Sequence, residues 1–155
     1  MQFNQEEIKQ ISVGITEIDQ DHQEFTGKIT ELLAACKKKG VGSQTLAEML
    51  MFLKTYVREH FMREEQLMEL FDYPGLAVHA AQHASLKKRL VEIYAEQKRV
   101  NFNSYLMVEL NTFLVDWLVH HVKTEDARMS RFFLKHDIPA RQDFKKLFAH
   151  NSAAR

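Results

Sequence analysis

His60 and Glu64 stand four residues apart in Tyr56-Val57-Arg58-Glu59-His60-Phe61-Met62-Arg63-Glu64-Glu65. Both fall in a seam of apolar residues at steps of 3 and 4: Leu46, Leu50, Leu53, Val57, then His60 and Glu64, then Leu67 and Phe71. On a helix that spacing is one face. An imidazole and a carboxylate therefore occupy places where the pattern asks for Leu or Val. Burying a carboxylate is costly unless it is paired or bound to a metal, and an i, i+4 pair can reach one ion. Alone, the pair fits equally well a satisfied core histidine beside a carboxylate that reaches solvent. The same intrusion recurs elsewhere, however. His22 sits among Ile18, Phe25 and Ile29; His79 and His83, again at i, i+4, precede Leu86, Leu90 and Ile93; His121 follows Leu110, Phe113, Leu114, Trp117 and Leu118. Ligand-type side chains on several facing helices are how bundle cores build metal sites.

Number and type of these residues narrow the chemistry. Five histidines and at least one carboxylate exceed the roughly three or four protein ligands of a zinc site, and they suit two ions sharing a carboxylate. Imidazole binds zinc, copper, iron and nickel, so residue type alone does not choose the metal. The Glu-x-x-His tetrapeptide of carboxylate-rich di-iron bundles does not occur. A histidine-rich site carries less negative charge, which disfavours high-valent iron and favours reversible chemistry. His22 to His60 and His83 to His121 are both 38 residues apart, which matches heights within two helical hairpins.

Four long helices must position these groups. The first is expected from Thr16 or Asp19 to about Lys38, and the second from about Gln44 to Phe71, roughly 40 Å at about 1.5 Å per residue. Gly40-Val41-Gly42-Ser43 separates them, with Ser43 a plausible N-cap. Asp72-Tyr73-Pro74-Gly75 breaks the second, and the third starts near Leu76. Arg99 to Ser104 forms the next connection. The fourth helix runs to about Leu134, where His136-Asp137-Ile138-Pro139 stops it. Ile11-Ser12-Val13-Gly14-Ile15 reads as an extended arm packed on the bundle. A short helix over about 140–149 carries Phe144, Leu147 and Phe148 on one face. Short connections between long helices give an all-α, up-down-up-down four-helix bundle with an N-terminal arm and a short C-terminal helix.

The 155 residues fit one domain. Lys+Arg and Asp+Glu balance at 21 each, which offers nothing to nucleic acid or an anionic membrane. No apolar run is long enough to span a bilayer and no signal-peptide pattern opens the chain, so the expected location is cytoplasmic. The one cysteine, Cys36, excludes an internal disulfide and a cysteine-based zinc site; it reads as a small buried hydrophobe.

His22, His60-x-x-x-Glu64, His79-x-x-x-His83 and Trp117-Leu118-x-x-His121-Val122-x-x-x-Asp126 resemble the ligand signature of the hemerythrins, in particular the single-domain bacteriohemerythrins. The resemblance covers about residues 13–134, and Ile15-x-x-Ile18-Asp19-x-x-His22 is similar to the family's lead-in. It implies two non-haem irons per chain, bridged by an oxo or hydroxo group, and reversible O2 binding. By the same resemblance His79, His83 and His121 hold one iron, and His22 and His60 hold the other, which keeps an open position for O2. Glu64 and Asp126 bridge the two, and Phe25, Trp117, Leu118 and Val122 line the O2 side. Helix geometry conflicts with one assignment. Glu125 is i+4 from His121, whereas Asp126, at i+5, lies about 140° further round an α-helix; geometry favours Glu125 and the resemblance favours Asp126. His120, His136 and His150 read as non-ligands, and Glu59 and Glu65 as solvated faces. The N-terminal arm lacks a tryptophan common in bacterial members, with Phe3 a possible substitute. The expected function is an O2 carrier, store or sensor and not an enzyme; the alternatives are a di-iron peroxidase or oxidase and a structural metal bundle. O2 is the expected partner, with a homo-oligomer possible through the C-terminal extension.

Overall fold

A computed structural model describes residues 11–37, 43–99 and 104–138. Helix α1 is Thr16–Lys37, α2 is Ser43–Leu70, α3 is Leu76–Arg99 and α4 is Ser104–His121. A π-helical segment, Val122–Asp126, continues α4 directly into α5, Ala127–Lys135, so the three form one fourth rod. No strand occurs among the described residues. The all-α bundle expected from the seams is therefore present, with bounds within a residue or two of those expected. Phe3, the Gly40–Gly42 stretch, the helix over 140–149 and His150 lie outside the described residues.

Packing partners give the topology. Helix α1 packs on α2 and α4, and α2 packs on α3. Asp21 meets Arg63 while Phe25 meets Tyr56, so α1 and α2 run antiparallel. Glu65 meets His83 while Phe61 lies under Lys87, so α2 and α3 are antiparallel too. Gln82 meets His121 and His79 meets Asp126, which orients the fourth rod against α3. The turn between α2 and α3 is tight. Asp72 takes a left-handed φ of 49°, and a Cβ on Gly75 would lie 2.6 Å from the Tyr73 ring. Glycine there lets Tyr73 fold inward onto Phe132, with ring centroids 5.2 Å apart.

The core runs the length of the bundle: Phe25, Ile29, Leu53, Phe61, Met68, Leu86, Leu110, Leu114, Met129 and Phe133 are buried. The arm belongs to it, since Ile11, Val13 and Ile15 are buried as well. Asp19 fastens the arm. Its carboxylate accepts hydrogen bonds from the Val13 and Gly14 amides at 2.6 and 3.0 Å and from the Ser12 hydroxyl at 2.7 Å. Gly14 makes the bend with a φ of 81°, a region costly to residues with a Cβ. Asp19 thus ties down the arm before the helix rather than capping its first turn. Ser130 of α5 donates to the Val13 carbonyl, which joins the arm to the fourth rod.

Candidate metal centre

The six seam residues singled out by type and spacing, and Asp126, which the resemblance implied, converge in the interior. His22, His60, Glu64, His79, His83, His121 and Asp126 are each at most 2% exposed. Their ligand atoms form two overlapping groups: Glu64, His79, His83, His121 and Asp126 in one, and His22, His60, Glu64 and Asp126 in the other. Both carboxylates belong to both groups, and each divides its oxygens between them. Glu64 Oε1 lies 3.5 Å from His60 Nε2, while Oε2 lies 3.2 Å from His83 Nε2 and 3.5 Å from His79 Nε2. Asp126 Oδ2 lies 3.3 Å from His22 Nε2, while Oδ1 lies 3.0 Å from His79 Nε2 and 3.1 Å from His121 Nε2.

The fourth rod resolves the conflict between Glu125 and Asp126. Between His121 and Ala127 the backbone widens into a π turn, with the Ala127 amide donating to the Val122 carbonyl five residues back. In an i→i+5 turn the residue five positions on returns to the same side. Asp126 therefore comes under His121 and into the centre. Glu125 is carried away, and although buried it pairs with Arg128 at 2.8 Å instead.

The imidazoles are oriented from behind. His22 Nδ1 donates to the Ile11 carbonyl at 3.2 Å, His60 Nδ1 to Asp21 at 3.1 Å, His83 Nδ1 to Glu65 at 2.9 Å and His121 Nδ1 to Gln82 at 3.0 Å. Each partner atom is an acceptor, so Nδ1 carries the proton and the Nε2 lone pair faces inward. Behind His60 the chain of contacts continues: Arg63 donates to Asp21 through Nε at 3.1 Å and Nη2 at 2.5 Å. Burial opposes ionisation of Asp21, but the hydrogen bonds from His60 and Arg63 hold its carboxyl below the ordinary value. Glu65 is a correction to the sequence reading: it is not simply a solvated face, because it accepts from His83 and lies 3.5 Å from Lys87. Glu59 is half-buried beside Arg58, and His120 and His136 are exposed.

This arrangement needs cations. Both oxygens of Glu64 and of Asp126, together with His22 Nε2 and both nitrogens of His79, are buried without a hydrogen-bond partner. His83 and His121 point their Nε2 atoms at each other across 3.1 Å; with both Nδ1 atoms protonated, two lone pairs would face one another. A metal ion between them removes that repulsion and pairs the carboxylates. Buried carboxylates that neutral imidazoles alone must compensate are costly, by several kcal/mol each. Burial would raise the Glu64 and Asp126 pKa values, yet the surrounding imidazoles hold both well below the ordinary range. Burial likewise opposes a proton on His79, but Asp126 and Glu64 beside it push its pKa up to about 10. The donor set of nitrogens and carboxylate oxygens, with no thiolate, fits two borderline or hard first-row cations.

The sequence model of the hemerythrin HHE cation binding domain matches residues 13–133. The chain belongs to the hemerythrin family. Curated relatives include a bacteriohemerythrin of Aquifex aeolicus, 30% identical over 74% of this chain and 86% of its own length. The bacteriohemerythrin of Pseudomonas aeruginosa is 31% identical over 76% and 73% respectively. That of Stenotrophomonas maltophilia is 29% identical over 75% and 72%. No solved structure gives a significant match. The family's cation-binding character agrees with the cluster found here, and no described helix is long and apolar enough to cross a membrane.

The resemblance implies Phe25, Trp117, Leu118 and Val122 as the O2-side wall. Phe25, Leu118 and Val122 are buried and Trp117 is half-buried, its ring stacked on His121 at 4.3 Å and 16°. Phe61, not singled out from the sequence, is the closest aromatic of all, stacked on His83 at 3.6 Å and 5°. Sequence reasoning also missed Asp21, Gln82 and the Ile11 carbonyl. Asp21 and Gln82 each immediately precede a seam histidine, and that adjacency was the one signal available.

Proposed function

We propose that this chain binds O2 reversibly at a pair of iron ions and acts as a carrier, store or sensor rather than as an enzyme. The observation that carries the reading is the unequal division of donors around two shared carboxylates: five residues in one group and four in the other. His79, His83 and His121 would hold one iron, His22 and His60 the other, and Glu64 and Asp126 both. The four-residue half then keeps a position for a small ligand. Ferrous iron supplies the electrons that O2 binding requires.

The protein's own part is orientation and exclusion. The Nδ1 contacts to Ile11, Asp21, Glu65 and Gln82 fix four of the rings, so ligand binding need not reorganise them. Phe25, Phe61, Leu118 and Val122 are buried apolar groups that keep water and anions from the pair and so slow its oxidation. With seven residues committed to holding metal, few polar side chains remain to bind and activate a second substrate, which favours a carrier over a peroxidase or oxidase.

The test is the lifetime of the O2-loaded protein with and without added oxidisable compounds. A carrier loses its O2 complex slowly and at a rate insensitive to them. Decay accelerated by a reductant over many turnovers would establish the enzyme reading instead.

A further inference from the structure

Eight buried side-chain polar atoms among the described residues lack a hydrogen-bond partner. Six belong to His22, Glu64, Asp126 and the Nε2 of His79, where metal would satisfy them, and a seventh is the Nδ1 on the far side of the His79 ring. The eighth is the hydroxyl of Tyr56. A buried hydroxyl without a partner loses its water and gains nothing in return, so such a group calls for an explanation.

Its place supplies one. Tyr56 is one turn before His60 on the same face of α2, and its ring stacks on that of His60, centroids 5.0 Å apart at 19°. On its other side it meets Phe25 of α1 at 4.6 Å. His60 belongs to the four-residue half of the centre, and Phe25 follows His22, the other histidine of that half, by less than one turn. Tyr56 therefore borders the half with fewer protein donors. Phe25, which it touches, carries no polar side-chain atom. A phenol is an O–H donor at neutral pH, its ordinary pKa being about 10.

We propose that the Tyr56 O–H is the hydrogen-bond donor to a small ligand, O2 or an anion, held at the His22–His60 half of the centre. The proposal rests on the two-iron reading, though not on reversible release of O2. A phenol donor on this half favours ligands that gather negative charge on an outer atom over neutral ones such as carbon monoxide.

The test uses Tyr56→Phe in the full chain, loaded with iron. Azide, a small anion that binds ferric iron, is titrated into the oxidised protein, and the O2 release rate is measured on the reduced, O2-loaded protein. Iron content should match the unmodified chain, azide should bind about 3- to 10-fold more weakly, and O2 should leave faster by a similar factor, the effect of one lost hydrogen bond. Full iron content with unchanged azide affinity and unchanged release rate would overturn the proposal. Should the variant fail to take up iron, a crystal structure of the unmodified azide complex decides. A Tyr56 oxygen within about 3.2 Å of the azide supports the proposal, and one bonded elsewhere ends it. An unmodified protein that binds azide through Tyr56 but never releases O2 would refute the carrier reading and leave Tyr56 its role. Reversible O2 binding indifferent to Tyr56 would do the reverse, and iron-loaded protein that binds neither ligand would refute both.

Discussion

Asp126 and Glu125 differ by a single position and have opposite roles. Asp126→Ala removes a carboxylate whose two oxygens face histidines of both groups, so iron content should fall to one ion or none. Glu125→Ala removes only the partner of Arg128 and should leave iron content unchanged, with a stability loss of about 1 kcal/mol at most. Elemental analysis of the two variants checks this. At the same scale, Asp21→Asn keeps the shape but weakens the charge that His60 Nδ1 and Arg63 share. Iron affinity should drop roughly 10- to 100-fold, the usual cost of losing such a partner, as read by competition with a chelator. Six of the inward-facing residues were legible because ligand-type side chains break the apolar period on all four helices at once; Asp126 was legible only through the resemblance. Asp21, Glu65 and Gln82 were not legible in this way. They sit off the seam, and their importance comes from a histidine on another helix, a distance that one-dimensional spacing does not contain.

The helices themselves followed from seam, breaker and cap. The exception is the fourth rod, where a regular α-helix would have aimed Glu125 inward. Its π turn has no strong local signature; the sign of it was the mismatch between i+5 spacing and α geometry. The arm shows a related limit. Ile11, Val13 and Ile15 alternate and all three are buried, but the segment is not simply extended: its anchoring by Asp19 depends on a left-handed bend at Gly14. Asp19→Ala removes three hydrogen bonds to a carboxylate. It should destabilise the protein by about 1–3 kcal/mol, seen as a lower denaturant midpoint. It should also weaken iron on the His22 side, because the Ile11 carbonyl that orients His22 is carried by the arm.

For the whole molecule, the centre is a charged cluster inside an apolar bundle, so metal, protons and stability are linked. Consider the protein stripped of metal. His79 has its pKa raised from 6.5 to about 10 on folding. Its contribution is then fully present below about pH 6.5 and is lost as pH rises toward 10. Glu64 and Asp126 are depressed, so their contribution is present above the ordinary carboxylate range and is lost as pH falls through the lowered values. The stripped protein should therefore be most stable near pH 5–6.5 and weaken above it. Iron held by His79, as proposed, would replace its proton, so the melting-temperature gap between loaded and stripped protein should widen from pH 6 to pH 9, measurable by calorimetry. A gap that narrows over that range would show that His79 is not a ligand. The central claim, reversible O2 binding at two irons, is tested most directly by gas uptake. Iron-loaded protein, reduced without air, is exposed to a known amount of O2 and then to vacuum. Uptake in fixed proportion to iron pairs, followed by full return of the gas and repeatable over several cycles, is the expected result. O2 consumed without return, or no uptake by protein carrying both irons, would contradict it.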